Sequence, residues 1–506
     1  MKYRFKMFGL GVLALIGLTF FPAVALSLSL EGRVNEFTLA NGIKVLMLER
    51  HASPTLALTI RFRVGAIDEN IGRTGTAHLL EHMLFKGTQT LGTKNYSEEA
   101  KILSRITEVG KALDTERLKG RKADEARIQQ QEKALKELES EHRQWVVKDE
   151  IESIYSQNGG IGFNAMTGAD TTTYVINLPS NRLELWARIE SDRLLNPVLR
   201  EFYSERDVIM EERRESIDSQ PERKLVENFL AAAFVAHPYG RPVIGWPSDI
   251  SFLDPQNTEQ FFRTFYSPGN TVLTLVGDLQ PEAALAVIKK YFERIPAQVL
   301  PAPLPTQEPE QPGERRIQLL AEANPQLMIG FHKPNPPHPD DEVCEIIEGL
   351  LSYGRTSRFY KRLVEEQKIA TEVSCTNAFP GERHPNLFVI FAAPRNPHSA
   401  EELEKAILLE LERLQSEPVS EKELTKIKNQ IQTDFLRQLN SNSKLAYWLS
   451  YGQVLFGDWR YIQKRLDALE RVTADDVKRV AQKYFASRNR TVATLVETPK
   501  APSPKE

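Results

Sequence analysis

Between positions 296 and 313 the chain carries Pro296, Pro301, Pro303, Pro305, Pro309 and Pro312 among small and polar residues. Each proline holds φ near about −65° and removes a backbone donor, so this run cannot lie inside a helix or a central strand and is expected to be an extended connector. A chain of 506 residues is also too long for one hydrophobic core to organise, so two domains or more follow. The boundaries implied are 26–300 for a first domain, 301–315 for the linker and 316–506 for a second.

Strand and helix periodicities mix on both sides of the connector. Phe37–Leu39 and Ile43–Leu48 flank Asn41-Gly42, a pair suited to a tight turn, and Leu56–Val64, Thr171–Leu178 and Thr271–Val276 read as further strands. Helical patterns cover the stretch around His78, Leu183–Leu194 and Ser204–Ser216. The second half repeats this order loosely, with strands near Arg316–Leu319, Gln326–Phe331, Glu372–Cys375 and Leu387–Ala392 and a helix over Asp341–Leu351. There is no strict strand-helix-strand beat, so the fold class is α+β, built from a duplicated mixed unit. Residues 98–150 stand apart. Ile102, Ile106, Val109 and Leu113 fall on one helical face and Ile128, Leu135, Leu138 and Trp145 on another, which predicts a charged helical hairpin inserted in the first domain, a solvated insertion that only stiffens it, with a gate or docking arm as the alternative.

Net charge of −3 and a pI near 6.4 provide no basic field, and no basic stripe is interleaved with aromatics, so nucleic acid is excluded as a partner. Lys2, Arg4 and Lys6 precede an apolar run from Met7 to Phe21, and Ala23-Val24-Ala25 fits a cleavage site; residues 1–25 read as a signal peptide, and the chain is expected to be exported, periplasmic or secreted. The alternative is a membrane anchor formed by residues 7–30, because the apolar character continues through Leu26, Leu28 and Leu30. Cys344 and Cys375 are the only cysteines, too few for a disulfide framework and wrongly spaced for a metal knuckle. Buried free thiols are expected, with a single bridge as the alternative.

Chemistry is concentrated in Thr76-Ala77-His78-Leu79-Leu80-Glu81-His82. On a helix, histidines four residues apart share a face, with Cβ atoms about 5–6 Å apart, so both can reach one ion. Catalytic zinc takes imidazole nitrogens at about 2.0–2.1 Å and three protein ligands in all, so a third must come from elsewhere in the chain. Glu81, beside His82 and one turn from His78, is better placed to take a proton from the attacking water than to ligate. The order His-x-x-Glu-His is that of the inverzincins.

With further blocks, the chain resembles the insulinase or pitrilysin family of zinc peptidases, in particular its short-chain branch that includes the mitochondrial processing peptidase. The blocks are Gly75–His82, Phe85-Lys86-Gly87-Thr88, Gly159–Ala165, Glu205–Glu212, His237-Pro238-Tyr239-Gly240 and Tyr266-Ser267-Pro268-Gly269-Asn270. The resemblance runs from about Phe37 to the C-terminal region, apart from the hairpin. It implies one Zn²⁺ per chain with His78, His82 and Glu212 as ligands, Glu211 being the competing assignment, and Glu81 as general base. It makes Glu205 a supporting carboxylate that orients a histidine or the water. It places Asn164 and Ala165 on an edge strand that pairs with an extended peptide substrate.

Two departures stand out. His82 and Glu212 lie further apart than is usual in the family, the hairpin supplying the excess. The Arg and Tyr, seven residues apart, with which family members hold substrate align with Val364 and Thr371; Arg358 and Arg362 are nearby but out of register. The resemblance therefore implies a zinc-dependent endopeptidase acting on peptides or unfolded processing-site segments, as half of a heterodimer whose related partner supplies the Arg and Tyr. The alternative is a proteolytically silent peptide-binding or scaffold subunit.

Overall fold

The computed structural model describes residues 30–498. The expected signal peptide, and all of the 7–30 anchor but Leu30, lie outside the described residues. Among those described, no helix is long and apolar enough to cross a membrane.

Two mixed sheets organise the molecule. The first holds β1 (Val34–Thr38), β2 (Lys44–Glu49), β3 (Thr55–Phe62), β4 (Ile161–Thr167), β5 (Thr172–Pro179) and β6 (Thr271–Gly277), in the order β1-β2-β6-β3-β5-β4. The second holds β7 (Arg315–Ala321), β8 (Gln326–Lys333), β9 (Ala370–Phe379), β10 (Asn386–Pro394) and β11 (Arg490–Glu497), in the order β7-β11-β8-β10-β9. In each half the last strand in sequence inserts between the first two core strands, parallel to one and antiparallel to the other: β6 between β2 and β3, β11 between β7 and β8. Strands β2 to β6 thus map one for one onto β7 to β11, and the α+β duplication expected from the sequence is the architecture of the protein. Asn41-Gly42 does make the β1–β2 turn, Gly42 taking φ +101°.

No helix or strand lies between Phe292 and Arg315, but the connector is pinned. The Glu308 carboxylate accepts backbone N–H bonds from Val235, Ala236 and His237, each at 2.9 Å.

The two halves exchange equivalent helices, which the sequence does not announce. Pro221–Ala233, from the first half, lays Leu225, Phe229, Leu230 and Ala233 on Met328, Leu387, Val389, Ala493 and Leu495 of the second sheet. Gly330 makes room for it, since a Cβ there would stand 2.4 Å from the Phe229 ring. In return, Asn442–Phe456 lays Leu445, Ala446, Leu449 and Val454 on Leu46, Leu48, Ala57, Val272 and Val276 of the first sheet. Arg61 on β3, 1 % exposed, donates from Nε to Ser450 Oγ at 3.1 Å and stacks over the Tyr447 ring at 4.5 Å.

Residues 98–150 correct one expectation. They do form a helical pair, Tyr96–Arg117 and Glu125–His142, but the pair is not a solvated addition. Ile102, Ile106, Leu113, Leu135 and Leu138 belong to the main core of the first half. Arg200 and Glu99, both with fully buried side chains, pair at 2.7 Å, and His142 Nε2 reaches the same carboxylate at 2.8 Å. Removing one partner of such a cluster would strand a buried charge, a loss of about 3–5 kcal/mol.

Because each half completes the other's sheet, residues 30–300 expressed alone should aggregate or bind an apolar dye strongly. Each Leu or Val returned to water forfeits about 1.5–3 kcal/mol. A soluble fragment with a sharp thermal transition would contradict this packing account.

Candidate metal centre

The helix Thr76–Met83 that carries the histidines follows Gly75, whose φ of +91° lies in the left-handed region. A Cβ at Gly75 would stand 2.6 Å from the Ile244 carbonyl oxygen, so only glycine fits. Glu69, 5 % exposed, accepts from Gly75 N at 2.9 Å and Ala77 N at 2.7 Å, satisfying the free N–H groups at the helix start. Burial pushes its carboxyl up to about 8, against those two hydrogen bonds, which favour the charged form.

One turn of this helix sets the His78 and His82 rings 4.8 Å apart between centroids. A second helix, Phe202–Arg213, packs alongside and brings Glu205 and Glu212. Glu212 Oε1 lies 3.7 Å from His78 Nε2 and Glu212 Oε2 lies 3.7 Å from His82 Nε2. These gaps are too long for hydrogen bonds. They approach the separation of about 3.4 Å between two ligand atoms held at about 2.0–2.2 Å in a tetrahedron. Among the described residues these three are the one group of His, Cys, Asp or Glu side chains able to hold a metal, with one ligand atom from each inside a 4.8 Å span. Two imidazoles and a carboxylate suit zinc, and the Glu212 side chain, 43 % exposed, leaves the centre open to solvent on one side.

Neighbouring groups tune the donors. Burial, then the charge of His82, pushes His78 down to about 4, which keeps its ring neutral; its Nδ1 is buried without a hydrogen-bond partner. Burial also pulls His82 down, but Glu205, Glu212 and Glu81 outweigh it, and His82 is raised. Glu205 Oε1 stands 2.9 Å from His82 Nδ1, which turns Nε2 toward Glu212, and Lys86 Nζ holds the other oxygen of Glu205 at 2.5 Å. Burial would raise Glu205; His82 and Lys86 bring it below the usual carboxylate range. Glu81 is 9 % exposed and accepts from Thr167 Oγ1 at 2.5 Å. Burial raises its carboxyl despite that bond. Glu211 turns outward to Arg214 Nη2, 2.5 Å away, and takes no part.

Asn164 and Ala165 lie on β4, the edge strand, paired on one side with Val175 and Tyr174 of β5. Thr167 ends the same strand, so the edge runs directly to Glu81. Val364 packs against the second core, and Thr371 Oγ1 donates to the Ala393 carbonyl at 3.2 Å. Arg358 is committed to Glu423 and Arg362 to Glu410, each at 3.1 Å. Cys344 and Cys375 are free thiols, not a bridge. Sequence reasoning missed Thr167, Glu69 and the role of Lys86. Lys86 stands four residues after His82, a spacing that could have flagged it; the other two show no local signal.

Residues 44–117 and 138–246 match the family described as insulinase (peptidase family M16), and residues 253–431 match the peptidase M16 inactive domain. The chain belongs to the insulinase family. The family match reaches Arg117 and resumes at Leu138, so the loop of the hairpin and most of its second helix, 118–137, lie outside it. A zinc protease PqqE from Helicobacter pylori is 26 % identical over 474 residues, covering 90 % of this chain and 91 % of that one. A probable mitochondrial-processing peptidase subunit beta from Arabidopsis thaliana is 22 % identical over 471 residues, covering 90 % and 77 %. The crystal structure of a protease from Helicobacter pylori superposes with a TM-score of 0.76 at 24 % identity, over 92 % of this chain and 99 % of that one. The part that matches the inactive domain includes the helix Pro339–Ser352, which follows β8 as Thr76–Met83 follows β3 and contains no histidine.

Substituting Glu212→Gln should weaken zinc binding by more than the 10- to 100-fold typical of outer-sphere partners, while Glu211→Gln leaves it unchanged. Metal titration against a competing chelator decides this, and the reverse pattern would shift the ligand by one residue.

Proposed function

We propose that this chain is a zinc-dependent endopeptidase acting on peptides or unfolded segments, with one zinc ion held by His78, His82 and Glu212. The observation that carries the reading is the convergence of those donors beside a buried carboxylate, Glu81, whose direction is set by Thr167. Bound there, zinc would supply the Lewis acid that polarises the scissile carbonyl. Glu81 takes a proton from the attacking water and delivers it to the leaving amine. Burial raises its proton affinity, which suits a group that must both accept and release a proton. Thr167 occupies one oxygen and leaves the other for the water. Glu205 fixes the His82 tautomer by drawing the Nδ1 proton. An extended substrate adds to the free edge of β4 at Asn164 and Ala165 through main-chain hydrogen bonds, with the exposed side chains of Ile161 and Met166 beside it.

Val364 and Thr371 provide no cation or phenol for the developing oxyanion, a loss of about 3–4 kcal/mol for a typical donor. A second copy would bring the same two residues, so the reading includes a related but different partner chain that retains the Arg and Tyr. Two of the relatives are named as subunits of a processing peptidase, which supports this. The N-terminal charge and apolar pattern supports export. The second reading, a silent peptide-binding subunit, rests on the same missing Arg and Tyr.

Replacing Glu81→Gln should leave one zinc per chain while turnover on a quenched peptide falls by roughly two to four decades; metal loss in that variant would make Glu81 a ligand. Purified alone, the chain should be weakly active and should gain activity when its partner is added. Full activity from the homogeneous chain would overturn the heterodimer.

A further inference from the structure

A buried polar joint ties the second half to the strand that holds Glu81. Asp170, three residues beyond Thr167 and 6 % exposed, accepts from Tyr239 Oη at 2.7 Å. Its other oxygen accepts from the backbone N–H groups of Glu382 at 2.7 Å and Arg383 at 3.0 Å, in the turn between β9 and β10. Arg383 then pairs with Asp68 at 2.9 Å, with both side chains nearly buried, and Asp68 accepts from Gly65 N at 3.0 Å. Two further bonds, Ala66 N to Gly168 O and Ile67 N to Ala169 O, each at 3.1 Å, bind the turn after β4 to the segment that leads through Glu69 into the histidine helix.

The fit at the joint is tight. A Cβ on Gly381 would stand 2.3 Å from Asp170 Oδ2. The turn is held from its own side by Asn386 Nδ2 to Gly381 O at 2.7 Å and Asn335 Nδ2 to Glu382 O at 3.1 Å. A turn belonging to the half without zinc ligands therefore grips both chain segments that converge on the centre: β4 with Thr167, and the lead-in to Thr76–Met83.

We infer that Asp170 is a positioning residue for Glu81, through which the β9–β10 turn of the second half holds Thr167 and the base in register. This rests on the reading of Glu81 as the base. The Glu382 and Arg383 N–H groups can only donate, and the Tyr239 hydroxyl, which already accepts from His384 N at 3.2 Å, places its one proton on Asp170. Asparagine in its place keeps an oxygen for the two N–H groups but turns an N–H toward Tyr239 Oη and leaves the hydroxyl proton without its acceptor, and a buried mismatch of that kind displaces the groups around it. The displacement passes along the short β4–β5 turn, and a shift of a fraction of an ångström at Thr167 re-aims Glu81 while leaving the ligand helices in place.

The test uses the full, zinc-loaded chain and its Asp170→Asn variant. Amide hydrogen exchange in 161–167 should rise about tenfold or more in the variant, with the remote helix Leu183–Leu195 unchanged; unaltered exchange in β4 overturns the inference whether or not the protein is active. With peptide hydrolysis as readout, in the presence of the partner if one is required, kcat should fall about tenfold or more while KM stays within about twofold and zinc remains one per chain. In a Thr167→Val background the same substitution should cost little more; a full additional loss shows that Asp170 does not act through Thr167. If Asp170→Asn fails to fold, Gly381→Ala, which pushes the turn away with the carboxylate intact, should reproduce the pattern, and normal kcat and normal β4 exchange in that variant overturn the inference. A wild-type chain that holds zinc yet hydrolyses nothing defeats the proposed function, and the exchange measurement then decides the positioning role by itself.

Discussion

The centre depends on the start of one eight-residue helix. Thr76–Met83 is too short to be stable alone, and its opening needs a left-handed residue at Gly75, pressed against the Ile244 carbonyl, together with a buried carboxylate, Glu69, that takes two of its free N–H groups. Given that start, helical geometry puts His78 and His82 on one face and Glu81 beside them. The companion helix Phe202–Arg213 needs only to lie alongside for Glu205 and Glu212 to arrive one to each task, since seven residues are nearly two turns.

What holds the companion helix is a set of charges removed from water. Arg200 is enclosed with Glu99 and His142, and Arg206 bonds Asp114 at 2.8 Å, both links running to the helical pair 96–142. That pair is therefore part of the frame beneath the candidate metal centre. Residues 118–137, the connecting loop and most of the second helix, lie outside the family match although Leu135 among them is buried in the core.

The second half, which contributes none of the donors that converge at the centre, is more than a lid. It covers the outer face of the first sheet with Asn442–Phe456, receives Pro221–Ala233 on its own sheet, and reaches into the first half through the β9–β10 turn. Neither sheet has a complete core without the other half, so one chain folds as one unit despite its duplicated plan.

Local chemistry was legible in the sequence. Pro296 to Pro312 marked a stretch without helix or strand, Asn41-Gly42 the first turn, alternating Val, Ile and Leu most of the strands, and His78-x-x-Glu81-His82 a helix with both histidines on one face, because each depends on residues close along the chain. The Glu205–Glu212 block and the edge strand at Asn164 and Ala165 were reached through family resemblance, since no local period links them to the histidines. Other features depend on residues 69 to more than 300 positions apart, and only the tertiary structure decided them. These are the insertion of β6 and β11 into the middle of their sheets, the exchange of helices, the burial of 98–150, and the pairings of Thr167 with Glu81 and Asp170 with Tyr239, Glu382 and Arg383. A threonine or an aspartate in a turn reads the same whether it faces water or a buried carboxylate; packing, which removes the water, makes the difference.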